Sequence, residues 1–212
     1  MLMEVVMQEG TIFFLISWLA IWYILFMENG PAWKRSRHLI TVLIILVCAG
    51  IYMNIVQIQV NFILVPVLLW SFCQWRNVPS RKLFLMAFTI FVVTASFACL
   101  RILTMLYPIW LIVDWKIMCS LLVVLTGALF QKDWNQRLSA AIIGSLCGQV
   151  VFAALLMQNG MPINGLFSLE AMDFLSLMFV FNGLLYRLEQ WFVKRSTRKS
   201  LMTVQPRDSE MR

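Results

Sequence analysis

The chain has 212 residues, 61% of them hydrophobic and only 13% charged, with a net charge of +7 and a mean hydropathy of +0.83. Soluble domains carry about 45–50% apolar and about 25% charged residues, because a surface facing water needs that charge. The composition excludes a disordered chain, a disulfide-stapled secreted domain and an ordinary soluble enzyme. It leaves a polypeptide that folds in lipid.

A bilayer core about 30 Å thick asks for roughly 20 mostly apolar residues per spanning helix. Seven stretches qualify in chain order: 10–27, 39–58, 61–75, 83–104, 109–130, 138–157 and 174–193. The expected fold class is therefore all-α: a polytopic integral membrane protein, a seven-transmembrane-helix bundle in one domain over 1–193, with a basic tail over 194–212. Runs such as 39–47 and 84–93 lack the alternation of barrel strands, and in hydrocarbon the backbone must bond to itself. The leader carries Glu4 and Glu9 and no basic residue, unlike a signal peptide, so the first stretch reads as a retained helix. The third stretch is short and holds Pro66, which is expected to kink it. The fifth is expected to start after a break at Tyr107-Pro108, with Asp114 and Lys116 in its first turns.

Basic residues cluster on alternate connections. Lys34, Arg35 and Arg37 follow the first stretch; Arg76, Arg81 and Lys82 follow the third; Lys132 and Arg137 follow the fifth. The tail adds Lys194, Arg195, Arg198, Lys199, Arg207 and Arg212, while the opposite side carries Glu4, Glu9, Glu170 and Asp173. Basic loops stay in the cytoplasm, so the N-terminus is expected outside and the C-terminus inside. Interfacial aromatics agree. Trp33, Trp75, Trp134 and Trp191 fall beside the inner connections, and Tyr107, Trp110 and Trp115 near the outer face. The net positive charge reflects loops facing anionic headgroups and does not call for nucleic acid.

Ionisable groups inside spans are functional candidates by default. Arg101, Asp114, Lys116, Arg187 and Glu189 qualify, all toward the ends of their helices. Arg101 and Asp114 are placed to pair across the Tyr107-Pro108 turn. Among uncharged residues, Gln149 lies in the sixth stretch, and Asn54 and Gln57 near the outer end of the second. Asn182, Tyr186 and Glu189 share one face of the seventh. Two readings of Arg101, Asp114, Gln149, Asn182, Arg187 and Glu189 stay open: lining of a cavity, or polar pairing between helices. Ala140, Gly144 and Gly148 form a small-residue ridge for close helix packing, within the bundle or across a dimer.

Catalytic chemistry is not expected. His38 is the one histidine and Cys48, Cys73, Cys99, Cys119 and Cys147 form no CxxC pair, so no metal or cofactor site is expected. No phosphate-binding GxxxxGK[ST] loop occurs. Ser145 lies well inside the sixth stretch whereas His38, its only histidine candidate, belongs at the cytoplasmic edge, and no paired carboxylates lie within the spans. A three-plus-one-plus-three repeat finds no support, since Pro66 has no counterpart in the seventh stretch.

The first hairpin reads Glu-Gly-Thr-Ile-Phe-Phe-Leu-Ile-Ser-Trp over 9–18, then Phe26-Met27 and the basic turn Trp33-Lys34-Arg35-Ser36-Arg37. In these residues the chain resembles the YphA-like small membrane proteins of spore-forming Gram-positive bacteria. The resemblance implies a multi-pass protein of a bacterial plasma membrane whose family role is uncharacterised. The functional expectation is a non-enzymatic scaffold or accessory subunit of an envelope complex, in contact with the lipid bilayer and other membrane proteins. A transporter or permease of a small solute is the alternative.

Overall fold

The computed structural model describes residues 9–27, 31–55, 58–75, 78–107, 114–160 and 168–204. Among the described residues seven helices occur in the order α1 (Thr11–Phe26), α2 (Ala32–Ala49), α3 (Leu64–Cys73), α4 (Ser80–Leu106), α5 (Trp115–Phe130), α6 (Trp134–Gln158) and α7 (Leu169–Val204). Three of them are long and apolar enough to cross a membrane: Lys82–Leu106 in α4, Trp134–Gln158 in α6 and Leu169–Arg195 in α7. α1, α3 and α5 are shorter apolar helices. Large side chains face outward over much of the surface, with Phe84 80% and Leu129 81% exposed. Water would penalise such a surface, whereas lipid tails solvate it.

One departure from helix separates α2 from α3. The second stretch, expected helical over 39–58, stops at Ala49, and the chain turns into β1 (Tyr52–Ile55) and β2 (Ile58–Asn61). The strands pair antiparallel, from Tyr52 opposite Asn61 to Ile55 opposite Ile58. Asn54 thus sits on a strand rather than near a helix end, and Gln57 lies outside the described residues. β-branched residues interleaved with Asn and Gln suit a pleated ribbon better than a helix face. Buried Asn61 secures the base: its amide donates to the Ala49 carbonyl (2.8 Å) and its oxygen accepts from the Ile63 N–H (3.0 Å). It thereby satisfies the end of α2 and the start of α3 together. The ribbon joins the C-terminal end of α2 to the N-terminal end of α3.

Other helix ends also move. Pro66 is the third residue of α3, where its missing N–H costs nothing, so the expected kink does not follow. α5 begins at Trp115, not at 109, with Asp114 as N-cap; Pro108 lies outside the described residues. α6 begins at Trp134 and α7 at Leu169, four and five residues ahead of their expected starts. These shifts draw Arg137, Glu170 and Asp173 out of expected loops and into helices.

The main core joins α4, α5, α6 and α7 through Val93, Phe97, Val123, Leu138, Leu146 and Phe174. A smaller core of Phe13, Ala49, Ile63 and Met172 ties α1, α2 and α3 to α7. α4 and α6 make the most extensive helix pair.

Candidate functional site

Buried charge gathers at the two ends of the bundle. At the end that carries the hairpin, Asp173 of α7 is fully buried. Its carboxylate accepts from the backbone N–H of Gly10 (3.0 Å) and of Phe13 (2.8 Å), and lies 3.5 Å from Lys116 Nζ of α5. α1 has Gly10 as N-cap and no side-chain cap of its own. Asp173 therefore caps α1 from across the bundle, placing a negative charge at the positive end of its dipole. Gly10 fits this clamp because its φ is +89° and an added Cβ would lie 3.1 Å from Leu169 Cβ.

One turn earlier on α7, Glu170 accepts from Trp115 Nε1 (3.0 Å) and pairs with Arg101 of α4 at 3.7 Å. The Arg101 guanidinium stacks 3.4 Å from the Trp115 ring centroid and 5.6 Å from that of Phe152. Arg101 does not pair with Asp114 as expected. Asp114 accepts from the Lys116 backbone N–H at 2.9 Å instead, because the start of α5 at Trp115 makes its carboxylate the helix cap.

At the opposite end, Arg137 of α6 is fully buried and forms a two-pronged pair with Glu189 of α7, at 2.7 and 3.1 Å. The stem of Arg137 crosses α5 at Gly127, where a Cβ would stand 3.3 Å from Arg137 Cγ. The Asn182–Tyr186–Glu189 face of α7 is turned to α6: Tyr186 meets the Trp134 ring at 5.5 Å. Asn182 is buried, and neither its amide nitrogen nor its oxygen has a hydrogen-bond partner. Arg187 is exposed, and Gln149 is half-buried on α6. Ala140, Gly144 and Gly148 are buried, and the two glycines face α4: added Cβ atoms would approach Val93 to 2.6 Å and Phe97 to 2.8 Å.

A cavity of about 540 Å³ lies between α1, α2, α3, α6 and α7. Its lining includes no charged residue, and none of Arg101, Asp114, Gln149, Asn182, Arg187 and Glu189 reaches it. Its hydroxyls are largely engaged by their own helices, Thr41 donating to the Arg37 carbonyl and Ser176 to that of Asp173. The arrangement thus separates two things the sequence left joined. Polar groups tie helices together at the ends, while the void between helices is apolar.

The family model for YphA-like integral membrane proteins matches residues 9–206. The chain belongs to the YphA-like integral membrane protein family. The match extends well past the first hairpin that carried the resemblance, through all seven helices. Comparison with curated proteins and with solved structures finds no match. The residues overlooked in this YphA-like chain are Arg137, Asp173 and Asn61. Two of them had a readable signal. Asp133 with Gln136 three residues later marks a helix start, and Glu170 is the acidic first-turn residue that a helix dipole favours, which carries Asp173 onto the same helix.

Proposed function

We propose that this YphA-like protein is a non-catalytic structural or accessory subunit of a bacterial envelope complex. In this reading it crosses the plasma membrane seven times, with its N-terminus outside. One observation carries the proposal: the carboxylates of Asp173, Glu170 and Glu189 are each committed to a cation on another helix, and the cavity touches none of them. A pathway for a polar solute needs such groups facing water, whereas a scaffold needs them fixing the helices. The orientation is supported by Arg35, Arg37, Lys194 and Arg195, which are exposed at the ends where basic cytoplasmic segments are expected.

Two measurements test this. Single cysteines placed after Lys34, Arg81, Lys132 and Lys199 in a cysteine-free background should label only from the cytoplasmic side; labelling of any from outside overturns the orientation. Chemical crosslinking in native membranes should capture the chain with the same membrane partner reproducibly. Uptake of a small polar solute into proteoliposomes, lost in Glu189→Gln, would replace the subunit reading with a permease.

A further inference from the structure

The cavity is closed at one end and open at the other. Toward the hairpin end it is sealed by Phe13, Ile63 and Met172, which are 6%, 1% and 1% exposed. Toward the other end its walls include exposed Thr41, Trp70 and Phe179. Around that mouth Ile44, Trp70 and Phe179 are exposed, an apolar rim suited to lipid tails rather than to bulk water. Its volume falls within the roughly 300–1,000 Å³ of small-molecule sites.

Charge is distributed unevenly along it. At the sealed end the nearby carboxylates, Asp173 and Glu170, are already paired with Lys116 and Arg101. At the open end, the stripe of α2 that lines the cavity continues into cations. Arg37 stands four residues before Thr41, and Arg35 seven before Val42, so both continue lining faces of the helix. Both are exposed, and their long stems can carry the guanidinium to the headgroup level. This is also the positive end of the α2 dipole, with no acidic residue in its first turn and no side-chain cap. A molecule that fits must be apolar at the closed end and anionic at the open end.

We propose that the cavity holds an acyl chain of an anionic glycerophospholipid, with the phosphate against Arg35 and Arg37. The chain enters through the mouth beside Trp70 and Phe179, and the apolar seal of Phe13, Ile63 and Met172 leaves no room for a headgroup at the other end. This site needs only membrane embedding, so its failure would leave the subunit role standing.

The test uses the full chain, delipidated in neutral detergent, with phosphatidylglycerol and phosphatidylcholine of identical acyl chains, read by native mass spectrometry and thermal shift. The wild type should bind one phosphatidylglycerol in preference to phosphatidylcholine. Each cation near a headgroup contributes about 1 kcal/mol, so Arg37→Gln should weaken phosphatidylglycerol binding about five-fold. The Arg35→Gln/Arg37→Gln pair should abolish the preference, and Ala20→Phe, which fills the cavity, should weaken both lipids together. Should Ala20→Phe not fold, phosphatidylglycerol brominated on its chain gives the second reading: it should quench wild-type fluorescence by more than it quenches Trp70→Phe. Equal affinity for the two lipids, unchanged preference in the double variant, or identical quenching with and without Trp70 overturns the proposal. So does displacement of the lipid by glycerol phosphate alone, or closure of the cavity by a second copy of the chain.

Discussion

The seam between α4 and α6 and the wall formed by α1, α2 and α3 are built from similarly apolar sequence, yet they pack in opposite ways. In the seam, Gly144 and Gly148 let the backbones approach until Val93 and Phe97 fill every gap, and Thr94 donates across it to the Gly144 carbonyl at 3.0 Å. The wall has bulky or branched residues such as Ile44, Ile45, Val67 and Trp70, and a cavity of about 540 Å³ remains beneath it. α4 and α6 are long and apolar enough to cross a membrane, and α1 and α3 are shorter apolar helices. The spacing of small residues decides which becomes solid, because lipid gives helices no hydrophobic reason to meet and packing must supply it. The wall is held to the rest by fewer and more polar ties, chief among them the Asp173 clamp on α1.

Removing that clamp should separate the two regions most forcefully. Asp173→Ala leaves Lys116, 5% exposed, without its carboxylate, and leaves the N–H groups of Gly10 and Phe13 without an acceptor. Breaking one side of a buried pair costs about 3–5 kcal/mol. We expect a large fall in Tm, with amide exchange rising first in α1 while the α4–α6 seam stays protected. If α1 and α6 lose protection together, the seam and the wall are one cooperative unit and the contrast between them is wrong.

The seam can be broken from within. At Gly144 even a methyl group would lie 2.6 Å from Val93 Cγ1 and 3.1 Å from the Ile90 carbonyl, and the latter is backbone that cannot swing aside. Gly144→Leu should therefore cost about 1–3 kcal/mol by overpacking, seen as a lower Tm and less monodisperse protein. Val93→Ala should restore part of the loss in Gly144→Ala, since the nearest atoms belong to that side chain. A Gly144→Leu protein that melts like the wild type would mean that the two helices do not meet at this ridge.

Much of this contrast is legible in the sequence. The Ala140-Gly144-Gly148 spacing stands out in the sequence, and so does the apolar length of α4 and α6. What was hidden were ends and partners. Asp173 and Arg137 sit a few residues outside the apolar runs, so a hydropathy window assigns them to loops, although Asp133 and Glu170 mark the true helix starts. Arg101 found Glu170 rather than Asp114, because a pairing between distant helices leaves no periodic trace. The hairpin was missed for another reason. Its residues, Tyr52 to Asn61, are apolar enough to prolong a span, and only their alternation with Asn and Gln distinguishes them. The cavity was beyond reach, since a void is set by how side chains fail to mesh, and no single residue announces it.

The smallest expected effect gives the finest test of the contrast. Ala20 of α1 lines the cavity and is only partly buried, so a larger side chain there grows into empty space. Gly144→Leu and Ala20→Leu both introduce a leucine at a small helical position facing a neighbour. Where the neighbour is already in contact the sign must be destabilising; where it stands back, filling the gap adds dispersion contacts. In delipidated protein, Ala20→Leu should be neutral to stabilising by up to about 1 kcal/mol, the range of modest cavity-filling changes. The same substitution should lose its advantage when anionic lipid is added back, because side chain and acyl chain would then compete for one volume. A destabilised Ala20→Leu without lipid would mean that the wall closes onto the core in solution, and the difference between the two regions would then be one of residue size alone.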